Sequence, residues 1–333
     1  MALRISAAVE RWPVAGQFII ARGAKTYVDV LVVAVSDGAH FGLGESTAIY
    51  YNGETAESCL AEVEAVLPRL EPMDADGARE AVQHLLPPGA ARNALDCALW
   101  DLAAKAAGLP LWRYAGLEAA PQPLVTAFTI SLGEPDVMEA DAAKAAARGF
   151  GLLKLKLTGD GDVARVAAVR AGAPHARLIV DANESWGDLD IAAEAAALAG
   201  LGVEMIEQPV AAGRDALLAD VQACLPLLAD ESCHSAADVA RLAPYYDGVN
   251  IKLDKAGGLT EALKIADAAQ ERGLKVMVGC MLCTSLAVGP AFLVAQRADW
   301  VDLDGPALLA EDRPDHFGFA SGTVAPPVSF FKG

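Results

Sequence analysis

From about residue 118 the sequence predicts a (β/α) barrel of the TIM type, in modified form, preceded by an N-terminal α+β unit. Three observations predict this α/β class. After residue 120 or so, short apolar strands alternate with Ala-rich helical stretches, and eight such strands make the repeat of a parallel barrel. Before that point strand patterns come first and helical patterns follow, as in an α+β unit. The G-x-G-x-x-G loop that an open doubly wound sheet would show after its first strand is absent.

In chain order, residues 1–117 form the first unit. "TYVDVLVVAVSDG" and "AHFGLGES" alternate apolar and polar residues, with Asp37-Gly38 as the hairpin turn. The helical patterns "ETAESCLAEVEAVLPRL", "ADGAREAVQHLL" and "GAARNALDCALWDLAAKAAG" follow, the last closed by Gly108 and Pro110. The barrel is assigned to 118–310. Its strands are "LVTAFTISL", "GLLKLKL", "RLIVDAN", "VEMIEQP", "LPLLADES", "DGVNIKL", "LKVMVGCML" and "WVDLDGP", and helical stretches such as "DVARVAAVRAG" lie between most of them. Residues 311–333 are expected to pack back on the first unit.

Composition narrows the function. Hydrophobic residues make up 54% of 333, and the net charge is −18, so the chain builds a core and its field repels phosphate backbones and anionic lipid. Nucleic-acid and membrane partners are therefore not expected. No basic segment followed by an apolar one opens the chain, and "TSLAVGPAFLVA" is broken by Gly289 and Pro290. The expectation is a cytoplasmic protein. The six cysteines read as free buried thiols, and "CMLC" at 280–283 has no second pair and no thioredoxin-like context, so neither zinc nor redox chemistry is expected there.

Polar residues recur at the ends of successive strands. Lys156, Asp181, Glu207, Asp230 and Lys252 are 25, 26, 23 and 22 residues apart, about one βα unit each, so all five converge on the mouth where barrel enzymes place their chemistry. Three carboxylates at one place repel unless a cation sits among them. All-oxygen ligation suits Mg²⁺, with Mn²⁺ able to substitute. Lys154 and Lys156 share one face of their strand, and Lys252 comes from the strand across the barrel. Lys154 beside Lys156, with a divalent cation near, is expected to depress the ammonium pKa and free a base. A neutral lysine and a metal together describe proton abstraction next to a carboxylate through an enolate, and two bases on opposite faces permit epimerisation.

"LKLKL", "DANESW", "EQP", "ADES" and "NIKLDKAGG", in this order and spacing, resemble the muconate-lactonizing branch of the enolase superfamily, whose Lys bases work with Mg²⁺. The similarity spans nearly the whole chain and makes residues 1–117 a capping domain. It implies that Lys156 and Lys252 are the acid/base pair, that Asp181, Glu207 and Asp230 bind one Mg²⁺, that Lys154 tunes Lys156, and that Asn183 and Glu231 hold ligands or lysines in place. Lys255 reads as a loop or surface lysine and Trp186 as rim packing.

"WVDLDGP" and "FIIARG" resemble segments of the dipeptide epimerases within this branch, although the Gly-Ser-Met-x-Glu-Thr stretch of many members is "GCMLCT" here. The resemblance implies a dipeptide as the small-molecule partner, L-Ala-D-Glu and L-Ala-L-Glu first, in murein peptide recycling, with room for a homo-oligomer. Asp302 and Asp304 alternate with Leu303, so both can face the pocket and bind an α-ammonium; a surface pair or second metal site are the other readings. Arg22 would pair with a side-chain carboxylate, or stand as a solvated-loop arginine. The rival activities on the same scaffold are N-acylamino acid racemisation, o-succinylbenzoate synthesis and muconate cycloisomerisation. A barrel with a purely binding role is the third possibility.

Overall fold

The computed structural model describes residues 2–20 and 23–332. The cap opens with an antiparallel sheet of β1 (Arg4–Ile20), β2 (Gly23–Ser36) and β3 (Phe41–Thr47), in that order. Ser36 pairs with Phe41 across the Asp37–His40 turn, where Asp37 Oδ1 accepts the backbone N–H of Ala39 and His40. The strand patterns read for β2 and β3 are thus found, whereas β1 carries no assignment in the sequence. Nearly all of its residues are exposed or only partly buried, and Gly16 sits at φ 87° inside a register shift between Pro13 and Phe18. That bulge breaks the alternation by which a strand is recognised.

Helices α1 (Ala56–Leu70), α2 (Ala75–Leu85), α3 (Ala90–Ala106) and α4 (Leu111–Tyr114) follow. Thr55 caps α1 with a reciprocal bond to Ser58, and Asp74 caps α2 through Gly77. Helix α3 is buried nearly all round because it lies between the cap sheet and the barrel. It lies so close to β3 that a Cβ on Gly42 or Gly44 would stand 2.1 Å from a carbonyl oxygen of α3, so only glycine fits there.

The predicted first barrel strand is two strands. β4 (Leu124–Val125) leaves the barrel to join β13 (Gly318–Ala320) and β14 (Thr323–Ala325), and β5 (Phe128–Ile130) enters it. With α5 (Pro135–Ala147) and α6 (Asp162–Gly172) among the connecting helices, the parallel strands β6 (Leu152–Lys156), β7 (Arg177–Asp181), β8 (Val203–Glu207), β9 (Leu227–Ala229), β10 (Gly248–Ile251), β11 (Lys275–Gly279) and β12 (Trp300–Asp302) continue in sequence order. Strands β5 and β12 meet through Ala127 N–H to Val301 O at 2.8 Å and Leu303 N–H to Thr126 Oγ1 at 2.9 Å. The eight-stranded barrel is nearly closed. No helix among the described residues is long and apolar enough to cross a membrane.

Ala127, Leu152, Ile179, Met205, Leu228, Met277 and Trp300 plug the barrel interior. Leu153, Leu155 and Leu157 pack outward against the helices. Lys154 and Lys156 therefore share the inward face with Leu152, above an apolar floor.

Candidate active site

Each charged residue of the strand-end series stands at the carboxyl end of its strand. Lys156, Asp181 and Glu207 close β6, β7 and β8; Asp230 and Lys252 follow β9 and β10 directly; Asp302 closes β12. All six are buried. One oxygen each from Asp181, Glu207 and Asp230 lies within 4.8 Å of the others. Lys156 Nζ donates to Asp181 Oδ2 at 2.6 Å, and Lys252 Nζ to Asp230 Oδ2 at 2.5 Å. The two lysines thus flank the carboxylates from β6 and β10, four strands apart in an eight-stranded ring.

Lys154 does not merely neighbour Lys156. Its Nζ sits 2.7 Å from Glu207 Oε2, 2.8 Å from Asp302 Oδ2 and 3.6 Å from Asp181 Oδ2. Burial works against the ammonium, yet Asp302, Glu207 and Asp181 hold it well above the usual lysine range. Around Lys154, three carboxylates outweigh the one neighbouring ammonium. Lys252 is likewise raised, Asp230 overcoming burial.

The carboxylates answer in kind. Burial opposes ionisation of Asp181 and Asp230, but the ammonium groups of Lys156 and Lys154, and of Lys252 and Lys255, keep both below the normal range. Glu207 is pushed up to about 8 by burial and then by Asp181. Glu207 Oε2 and Asp230 Oδ1 accept no hydrogen bond, meeting only the ammonium groups of Lys154 and Lys255. An all-oxygen donor set with such oxygens fits a hard divalent cation.

Further residues fix these carboxylates. Asn250 Nδ2 donates to Glu207 Oε1 at 2.6 Å. Gln208 Oε1 accepts the Asp230 N–H at 2.7 Å, while its amide nitrogen donates to Val210 O, Ser232 Oγ and Tyr246 Oη. The Asn183 backbone N–H donates to Asp181 Oδ1 at 2.9 Å from a left-handed turn, and Asn183 and Glu231 both line the cleft. Lys255 contradicts its reading as a loop or surface lysine. It is 1% exposed, and its Nζ donates to the carbonyls of Asp230, Cys233 and Asn250 at 2.6–2.7 Å. Trp186 is buried and donates to Asp162.

Asp302 and Asp304 both line the cleft, but their surroundings differ. Asp302 is engaged by Lys154 through one oxygen and leaves Oδ1 without a hydrogen bond. Asp304 Oδ2 accepts the Thr129 N–H at 2.6 Å, and burial followed by Asp302 pushes its carboxyl up to about 7. From the cap come Phe18, Ile20, Lys25, Tyr50 and Tyr51. Arg22 lies outside the described residues. Lys25 was not singled out in the sequence; its ammonium is 4.5 Å from the Tyr50 ring centroid, and burial lowers its pKa. All six cysteines are free, but Cys224 is exposed and Cys280 partly so, against the expectation that they are buried.

Two family models match this architecture. Residues 3–116 match the mandelate racemase/muconate lactonizing enzyme N-terminal domain, and residues 137–328 match the enolase C-terminal domain-like model. The chain belongs to the enolase superfamily, in its mandelate racemase/muconate lactonizing enzyme family. Within it, the chain is 44% identical to the L-Ala-D/L-Glu epimerase of Escherichia coli, over 95% of this chain and 97% of that one. It is 40% identical to the N-acetyl-D-glutamate racemase of a Pseudoalteromonas species, over 91% and 95%. An Agrobacterium tumefaciens enolase family member with homology to dipeptide epimerases, solved with sodium and L-Ala-L-Glu, superposes with a TM-score of 0.93 at 46% identity, covering 99% of this chain and 100% of that one.

Proposed function

We propose that this chain is a Mg²⁺-dependent dipeptide epimerase that interconverts L-Ala-D-Glu and L-Ala-L-Glu. One observation carries the reading: Lys156 and Lys252 face each other across the buried carboxylate cluster, with Asp302 and Asp304 in the same cleft. Asp181, Glu207 and Asp230 would hold the cation, Mn²⁺ serving in place of Mg²⁺. When bound, it neutralises the charge that builds on the substrate carboxylate as the α-proton leaves. With Asp230 engaged by the cation, Lys252 would lose the partner that holds its ammonium form and would be readier to act as a base. Lys156 takes or gives the proton on one face and Lys252 on the other. Lys154 keeps Glu207 and Asp302 in place and tunes Lys156, while Asn183 and Glu231 steady the ligands.

The substrate's α-ammonium would meet Asp304 and the Oδ1 of Asp302. On the cap side of the cleft Lys25 offers a positive charge for a side-chain carboxylate on the second residue, the role that the resemblance gives to Arg22. The organisational frame is a cap at 1–117, a barrel at 118–310 and a C-terminal segment at 311–333. The setting is cytoplasmic recycling of murein peptides, without nucleic-acid or membrane partners, and a homo-oligomer is compatible with it.

The N-acetyl-D-glutamate racemase among the relatives favours one rival, racemisation of N-acylated amino acids, for which two carboxylates at the ammonium position are unfavourable. Comparing kcat/KM for L-Ala-L-Glu and N-acetyl-glutamate separates the two. Preference for the dipeptide is expected; preference for the acetylated amino acid overturns the substrate assignment. Asp304→Asn should lower kcat/KM for the dipeptide at least about tenfold through the lost charge-assisted bond.

A further inference from the structure

We propose that Cys280 and Cys283 form a two-thiol oxidation site in the wall of the cleft, where a peroxide joins them in a disulfide that stops turnover and a dithiol restores it. Cys280 follows β11 directly, is partly exposed and lines the cleft. Cys283 lies three residues on and is fully buried. Both sulfurs crowd Gly305: a Cβ there would stand 2.9 Å from Cys283 Sγ and 3.1 Å from Cys280 Sγ. The Gly305 N–H donates to Cys280 Sγ at 3.4 Å. Hydrogen bonding to Cys280, and then burial, push the Cys283 thiol well above its usual range. Cys280, the one of the two that opens to the cleft, is therefore the attacking sulfur and the buried Cys283 the resolving one.

The Cys280 thiolate attacks one oxygen of hydrogen peroxide, giving the sulfenic acid and hydroxide. The Cys283 sulfur then attacks the sulfenic sulfur, its proton leaving with the displaced hydroxyl as water. In sum, two thiols and one peroxide give one disulfide and two waters.

The loop that would be drawn in is coupled to the site at both ends. The Cys280 N–H donates to Asp302 O at 3.1 Å, and Leu282 O accepts Thr47 Oγ1 from the cap at 2.7 Å. Cys280, Met281 and Leu282 line the cleft beside Asp302, Asp304 and Gly305. Joining the sulfurs thus shifts the stretch of wall that is hydrogen-bonded to Asp302 and lies beside both carboxylates. Disulfide formation is independent of the proposed reaction; its effect on turnover rests on that reading.

The test uses Mg²⁺-loaded full-length protein in a Cys224→Ser background, which removes the exposed thiol outside the cleft lining. Peroxide should remove two hydrogens from the peptide spanning 280–283 and lower dipeptide kcat/KM at least about tenfold, with dithiothreitol reversing both. Cys283→Ser should instead carry a Cys280 sulfenic acid that dimedone traps, with no disulfide. The site is overturned if peroxide forms no such disulfide, or if Cys283→Ser shows the same disulfide mass loss. A disulfide that leaves turnover unchanged overturns the coupling. A disulfide in a protein that turns over no dipeptide leaves the thiol site standing and overturns the proposed activity.

Discussion

Four oxygens converge on Lys255 Nζ: three carbonyls at 2.6–2.7 Å and Asp230 Oδ1 at 3.1 Å. Its ammonium thereby ties the ends of β9 and β10, which carry Asp230 and Lys252. Lys255→Met keeps the volume but leaves those oxygens without their donor, so Mg²⁺ affinity should fall by about 10–100-fold. Calorimetric titration of the folded variant checks this; unchanged affinity with only a lower melting temperature would mean that Lys255 serves stability alone. Glu207→Gln should likewise weaken metal binding and nearly eliminate turnover, because one of the three carboxylates proposed to hold the cation is lost. At this scale the sequence was most legible where strand alternation and the βα period apply, as for Lys154, Lys156, Asp181, Glu207, Asp230 and Lys252. Lys255 was not, since it lies on the single helical turn Leu253–Ala256, whose direction no strand pattern sets. Asp302 was read toward the cleft, but its bond to Lys154 spans 148 residues and has no local signature.

Among the groups by which helix α3 joins cap to barrel is a buried carboxyl. Asp96 accepts Gln83 Nε2 at 2.8 Å, and the N–H and Oγ1–H of Thr260 at 2.9 and 2.6 Å. Burial pushes it up to about 6 from 3.8 despite these bonds. The folded protein then binds this proton more tightly than the unfolded chain. Its stabilisation is fully present below about pH 4 and is lost as pH rises through about 6, on the order of 3 kcal/mol in all. Asp96→Asn cannot ionise, so denaturant midpoints measured between pH 4 and 7 should lose this slope relative to the parent; an unchanged slope would place it on other groups. Helix α3 was readable in sequence because its apolar residues run all round and Gly108 and Pro110 end it. β1 was not, since its bulge and mixed burial erase the period of two. β4 and β5 appeared as one strand because the split is made by tertiary partners, β14 and β6, and not by a local breaker.

Across the whole molecule, the C-terminal segment locks the cap to the barrel mouth. Arg313 donates to Glu45 Oε2 at 2.7 Å on β3, to Glu10 Oε2 at 2.8 Å on β1 and to Thr284 Oγ1 at 2.7 Å beside α11 (Ser285–Ala295). Glu45 is 1% exposed. Arg313→Ala leaves that charge buried without its partner and should cost about 3 kcal/mol of unfolding free energy, part of which Glu45→Gln restores in the double variant. Equal destabilisation in single and double variants would contradict the pairing. The cap also grips the chain just after Lys252: Asp254 accepts Thr47 N–H at 2.8 Å, and Arg92 donates to Ala256 O at 2.7 Å. Cap and barrel thus fix Lys252 together, while Lys156 stands on β6. The most direct measurement of the two-base arrangement is α-proton exchange in D₂O with Mg²⁺-loaded Lys156→Ala and Lys252→Ala, on L-Ala-L-Glu and L-Ala-D-Glu separately. Opposed lysines predict that neither variant epimerises and that each still exchanges the α-proton of one epimer only, a different one in each. The same exchange pattern in both variants, or epimerisation by either, would contradict it.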